Sequence, residues 1–130
     1  MDLLVWYSSW QLQCCGDVFG VGDWVAWDCR ETDLDWLESA LGPEVAGRIS
    51  WAEEHHDVLP DGHPVARGTV VEIQAAFCRF ALGADQRVSY PVPGTTVLRQ
   101  VTHADGTEHD PSGARFLGYV VEVAVQPEHD

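Results

Sequence analysis

Apolar and polar residues alternate along several stretches of the chain, and each such stretch predicts a half-buried strand. Leu3 to Leu12 is rich in Val, Trp and Tyr and lacks a breaker, so it predicts an opening strand that Cys14-Cys15-Gly16 closes. Val21 to Trp27 reads as a turn entering a short strand, with Val25 and Trp27 on one face. From Arg67 to Phe80, Val71, Ile73, Ala75 and Phe77 alternate with Val70, Glu72, Gln74, Ala76 and Cys78. A long strand is expected there, with Cys78 on its more polar face unless a bulge shifts the phase. Arg87 to Tyr90 and Thr95 to Val101 predict two further strands, and the prolines of Pro91-Val92-Pro93-Gly94 interrupt pairing between them. Asp105-Gly106 and Asp110-Pro111-Ser112-Gly113 mark turns. Leu117, Tyr119, Val121, Val123 and Val125 then define one face of a long closing strand.

Between the strands the period changes to that of a helix. Thr32 is placed to cap a helix start with Asp35 at its third position, and Trp36, Leu37, Ala40 and Leu41 share one apolar face. Gly42 supplies a stop and Pro43 a new first turn, so a second helix is expected from about Pro43 to His56. Val45, Ile49, Ala52 and His56 form its apolar stripe, which points His56 inward and leaves Arg48, Trp51 and His55 on another side. Leu59 to Pro64, with two prolines and a glycine, reads as a loop. The expected fold is mainly β, a small SH3-like or OB-like barrel or a strongly curved antiparallel sheet, with a two-helix insertion at about 33–56. Val21 to Val25 and Arg67 to Val71 resemble the glycine-led strand entries of SH3-like barrels, a likeness of architecture that carries no function. No internal repeat is visible, and 130 residues suit one domain spanning 1–130.

Charge narrows the partners. Twenty-one acidic residues against seven basic ones give a formal net charge of −14, and every basic residue is Arg. Lysine chemistry is therefore excluded, phosphate backbones are repelled, and a basic protein or peptide is the favoured partner. The absence of Lys and Asn also fits the codon bias of a GC-rich bacterial genome. Met1 to Trp6 has no basic leader, and no apolar run approaches a membrane span, so a cytoplasmic location is expected. In a reducing compartment the four cysteines are expected as thiols or metal ligands, because a bridge between adjacent Cys14 and Cys15 would be strained.

Soft ligands are concentrated at Cys14, Cys15, His55, His56 and Cys78. Thiolate and imidazole are the usual zinc ligands, so these residues define a candidate structural zinc site, with Glu53, His55 or water completing it. No closely spaced cysteine pair of the zinc-finger kind is present, so such a site requires convergence in space. Glu53 and His56 also make one Glu-x-x-His copy, without the partner copy a di-iron bundle uses. The plainer reading has His56 opposing a helix dipole and the cysteines packed as small hydrophobes. A rival reading is a small cysteine- or zinc-dependent enzyme, in which Cys14 or Cys15 attacks, His55 or His56 acts as base and Asp57 orients it. No nucleophile elbow or phosphate-cradling loop accompanies those residues, and no residue is assigned as catalytic.

His103, Asp105, Glu108, His109 and Asp110 could hold a divalent cation, against the plainer reading of a solvated hairpin tip. His63 and His129 receive no role. Of the six tryptophans, Trp36 is expected in the core, and Trp24 and Trp51 lie off the apolar faces as candidate partner-binding residues. The leading functional expectation is an acidic binding or regulatory domain, with a Cys/His metal site as a specific addition.

Taken together, Trp10 to Gly16, Glu53-Glu54-His55-His56, Arg67 to Val70, Tyr90 to Gly94 and Phe116 to Tyr119 resemble an uncharacterised actinobacterial family known as a domain of unknown function. The resemblance covers most of the chain and implies no activity.

Overall fold

The computed structural model describes residues 2–125, the side chain of Cys15 excepted. Five strands close into a barrel: β1 (Asp2–Ser8), β3 (Trp24–Arg30), β4 (Trp51–Glu53), β5 (Val65–Cys78) and β10 (Arg115–Val125). The barrel order is β10-β1-β4-β3-β5, and β5 pairs back onto β10. The remaining strands are β2 (Phe19–Gly20), β6 (Phe80–Leu82), β7 (Ser89–Pro91), β8 (Val97–Val101) and β9 (His103–Ala104). β8 extends the sheet beyond the distal half of β5, β6 pairs with β7, and β2 pairs with β9. Closure gives the small barrel expected from the strand pattern. One pairing, β1 with β4, is parallel, so the sheet is mixed rather than purely antiparallel.

Strand alternation divides the apolar residues between two cores. Val5 and Tyr7 of β1 point into the barrel with Val25, Ile73, Phe77, Tyr119, Val121 and Val123. Trp6 points outward, where Leu37, Ala40, Leu41, Ala46, Ile49, Ala76, Cys78 and Val120 cover the outer wall. Both faces are therefore dry from Ala75 to Cys78 of β5 and from Leu117 to Val121 of β10, which explains apolar residues at consecutive positions there.

Two bulges set the phase of the long strands. The β5–β10 register steps from Glu122↔Glu72 to Val123↔Val70, which leaves Val71 as the extra residue and 41% exposed. Ile73, Ala75 and Phe77 face inward as the alternation predicts, but Val71 does not join them. At the other end Phe116 pairs with Phe77 and Gly118 with Ala76, so Leu117 is extra and turns to the outer core. Cys78 lies opposite the barrel interior, as the phase predicts, yet that face is covered and the thiol is fully buried.

Three helices are described: α1 (Ser9–Cys15), α2 (Leu34–Leu41) and α3 (Pro43–Arg48). The opening strand ends at Ser8 rather than Leu12, and α1 replaces its second half. Its two turns bury the consecutive residues Gln11 and Leu12 while leaving Trp10 and Gln13 exposed, a division that strand alternation would not produce. α2 is capped by Asp33 rather than Thr32, through a bond from the Trp36 backbone N–H to Asp33 Oδ1 (3.2 Å). Leu37, Ala40 and Leu41 are buried as expected, but Trp36 is 37% exposed and does not fill the core.

The helix expected to reach His56 stops at Arg48. Trp51 and Ala52 pair with β1, and Ala52 with β3, so ladder pairing replaces helix over this segment. Ile49 and Ala52 still reach the outer core, because a short helix followed by a strand buries the same spacing. Glu54 to His56 consequently lie on a loop, and the inward stripe that included His56 does not exist. Among the described residues, no helix is long and apolar enough to cross a membrane.

Candidate functional site

An open cleft of about 530 Å³ lies on the outer wall of the barrel, between α1, α2 and the β6–β7 hairpin. Its floor is made by outward-facing residues of the barrel strands, Trp6, Ala52 and Leu117, with Leu37 of α2. Trp10 on α1 and Trp36 on α2 present rings 54% and 37% exposed, and Phe80 and Phe116 complete the apolar surface. Trp6 and Trp36 pack with ring centroids 5.9 Å apart. Arg30, Asp33, Glu53 and Arg115 supply charge, and Ser8, Ser9, Gln11 and Ser89 supply neutral polar groups.

The polar side of this cleft is held by a buried carboxylate. Glu54 Oε2 accepts from Gln11 Nε2 (2.6 Å) and from the backbone N–H of His56 (3.1 Å) and Asp57 (3.4 Å). Arg30 Nε lies 3.1 Å from Glu54 Oε1. Burial by itself would raise the Glu54 pKa, but the hydrogen bonds from Gln11, His56 and Asp57 and the Arg30 charge outweigh it and hold the carboxyl below its ordinary value. Gln11 Oε1 in turn accepts from His56 Nδ1. The chain therefore ties α1, the end of β3 and the loop after β4 into one network.

Glu53, the neighbouring carboxylate, is in the opposite state. Burial pushes its pKa above the ordinary value, although the hydrogen bond and charge of His55 oppose the rise. His55 Nδ1 donates to Glu53 Oε2 at 2.7 Å. The imidazoles of His55 and His56 stack at 4.4 Å between centroids, and His56 stacks on Trp10 at 4.7 Å. Tyr7 lies beside the pair, its hydroxyl pKa pushed up by burial and by the Glu53 and Asp17 charges. No buried side-chain nitrogen or oxygen among the described residues lacks a partner.

The predicted ligand set is only partly assembled. His55 and His56 come together, and Cys14 is exposed on α1. Cys78 sits in the outer core, where its Sγ donates to Arg79 O (3.4 Å) and meets Thr95 Oγ1 (3.4 Å). The side chain of Cys15 lies outside the described residues. Among the described residues, no group of three or more His, Cys, Asp or Glu side chains is arranged to hold a metal ion. Cys29 is buried inside the barrel, and burial pushes its thiol up to about 12.

The other candidates separate. Trp24 is 59% exposed beside a surface hollow lined by Asp17, Val18 and Asp23, whereas Trp51 packs against the barrel interior. The segment from His103 to Asp110 is not a solvated hairpin tip throughout. Asp110 is buried, pairs with Arg99 and accepts from Ser112 Oγ and the Ala114 backbone N–H (3.3 Å). Gly106 N–H donates to the buried hydroxyl of Tyr119 (3.0 Å).

Sequence reasoning missed Arg30, Arg115, Trp10 and Trp36 as one group. Gln11 and Glu54 stood within the conspicuous motifs, but nothing in their spacing, 43 residues apart, announced a bond between them. No curated protein and no solved structure matches the chain. Residues 1–125 fit the model of a family of unknown function, DUF6578, in agreement with the expected membership of an uncharacterised domain family, and the chain belongs to that family.

Proposed function

We propose that this protein is a binding module that receives a compact, partly apolar ligand in the cleft between α1, α2 and the β6–β7 hairpin. One observation carries the reading. Trp10 and Trp36 leave large ring areas exposed on a concave surface whose polar wall is already ordered by Gln11, Glu54 and Arg30. Exposed aromatic area on a pre-ordered concave surface favours binding, because little side-chain entropy remains to be lost when a ligand arrives. The test is a fragment survey by nuclear magnetic resonance, read at the indole N–H signals of Trp10 and Trp36. Binders are expected to shift both signals, and Trp36→Ala is expected to weaken them. A survey in which no fragment perturbs either indole would overturn the reading.

A second reading rests on the separate hollow at Trp24. Its exposed ring shares the hollow with Asp17, Val18 and Asp23, in a chain of net charge −14. An apolar anchor flanked by carboxylates suits a basic protein or peptide. Cross-linking through a photoreactive group at position 24 would test it in the native host. Capture of a basic partner that weakens with salt is expected, and salt-independent capture would count against it.

A further inference from the structure

The cleft differs from the rest of the molecule in charge. Acidic residues outnumber basic ones by 21 to 7 over the chain, yet the cleft is lined by Arg30 and Arg115 against Asp33 and Glu53. Each of those carboxylates already has a partner within the protein. Asp33 Oδ1 accepts the Trp36 backbone N–H at the start of α2, where a carboxylate is also favoured by the helix dipole. Glu53 is buried and held by His55.

The arginines are less fully used. Arg30 is paired with Glu54 through Nε, and its side chain remains half exposed. Arg115 lies with Cζ 4.6 Å from the centroid of Phe80, and no carboxylate is within ion-pair distance of it among the described residues. Stacking fixes the guanidinium plane without consuming its donors. The cleft therefore pairs exposed rings with the guanidinium of Arg115, which no carboxylate of the described residues neutralises.

We propose that the cleft selects a flat aromatic ligand bearing an anionic group, with Trp10 and Trp36 taking the ring and Arg115, assisted by Arg30, taking the anion. The proposal rests on the cleft being the ligand site and adds the charge and shape of what enters it. A carboxylate and a phosphate present the same acceptor chemistry to a guanidinium fork. The surrounding acidic surface repels such anions, so selectivity must come from contacts inside the cleft rather than from long-range attraction.

Three ring-matched probes test the inference: indole-3-acetate, indole and tryptamine, titrated into the intact protein at low salt and followed by the Trp10 and Trp36 indole signals and the Arg115 Nε signal. Indole-3-acetate is expected to bind about tenfold more tightly than tryptamine, the range one charge-assisted hydrogen bond supplies. Arg115→Gln is expected to remove that preference, and Arg115→Lys to retain part of it. Phenyl phosphate against phenylacetate then separates the two anion types. Either anion preferred over its neutral counterpart supports the proposal. Equal binding of all three indoles at the cleft would leave the binding site standing and overturn its anion selectivity, as would a preference for tryptamine. Failure of all three indoles to shift the cleft signals, when other fragments do, would overturn the flat-ring ligand alone.

Discussion

Gln11 Nε2 donates to Glu54 Oε2 over 2.6 Å, and both side chains are buried although 43 residues separate them. This bond fixes α1 against the loop that leaves β4. It also sets the polar wall of the cleft, because Arg30 shares the same carboxylate.

Glu54→Ala is expected to cost roughly 2–4 kcal/mol of stability, since it strands Gln11, Arg30 and two backbone donors around an empty volume. Urea unfolding would show a lower midpoint with little change in slope. An unchanged midpoint would mean that the network contributes specificity without stability.

The adjacent glutamates should shape the pH profile of stability with opposite signs. Glu53 is raised from 4.5 by burial, so its contribution is fully present below that value and is lost as pH rises through its folded pKa. Glu54 ends below 4.5 despite burial, because Gln11 and the backbone donors favour its charged form. Its contribution is present above 4.5 and is lost as pH falls through the folded pKa. Relative to the unsubstituted protein, Glu53→Gln should therefore gain stability as pH rises above 4.5 through the folded pKa of Glu53, whereas Glu54→Gln should lose it as pH rises towards 4.5 through the folded pKa of Glu54. Parallel profiles for the two variants would contradict the assignment of environments.

Backbone approach makes a separate prediction at Gly118, where φ is +152° and an added Cβ would lie 2.5 Å from the Tyr7 carbonyl oxygen. Gly118→Ala should cost about 3 kcal/mol or more, since strand backbone rather than a movable side chain blocks the methyl. Gly47→Ala in α3 meets no atom within 4 Å and should instead gain roughly 0.5–1 kcal/mol through helix propensity. Denaturant titration of both variants checks the contrast.

Thiol accessibility offers a fourth test. Cys29 and Cys78 are fully buried and so shielded from reagents, and burial also raises the Cys29 thiol to about 12. In a Cys14→Ser, Cys15→Ser double variant, the remaining thiols should label only on unfolding. Rapid labelling in native buffer would show that one of the two cores opens readily.

Strand alternation identified most of the barrel wall because it depends only on neighbours along the chain. Val5 and Tyr7 against Trp6, and Tyr119, Val121 and Val123 against Val120, follow the period of two into opposite cores. The Gly42-Pro43 junction separated α2 from α3 for the same local reason: glycine tolerates the positive φ of +89° and proline suits a first helical turn. Local preference failed where pairing won. β4 is three residues long and takes its conformation from β1 and β3, so its sequence carried a helical stripe that tertiary pairing overruled.

The sequence by itself determined a mainly β chain with a helical insertion, a strongly acidic charge and membership of its family. Tertiary structure alone decided which residues meet. Closing β10 onto both β1 and β5 places Arg115 and Leu117 beside the outward face of Trp6, and α1 brings Trp10 and Gln11 to Arg30 and Glu54. It also carries Cys78 to the outer core under α2 and α3, while His55 and His56 remain on the loop after β4. Hydrophobic periodicity specifies a face for each residue, but barrel closure and register specify its neighbours, and the chemistry of the cleft depends on neighbours.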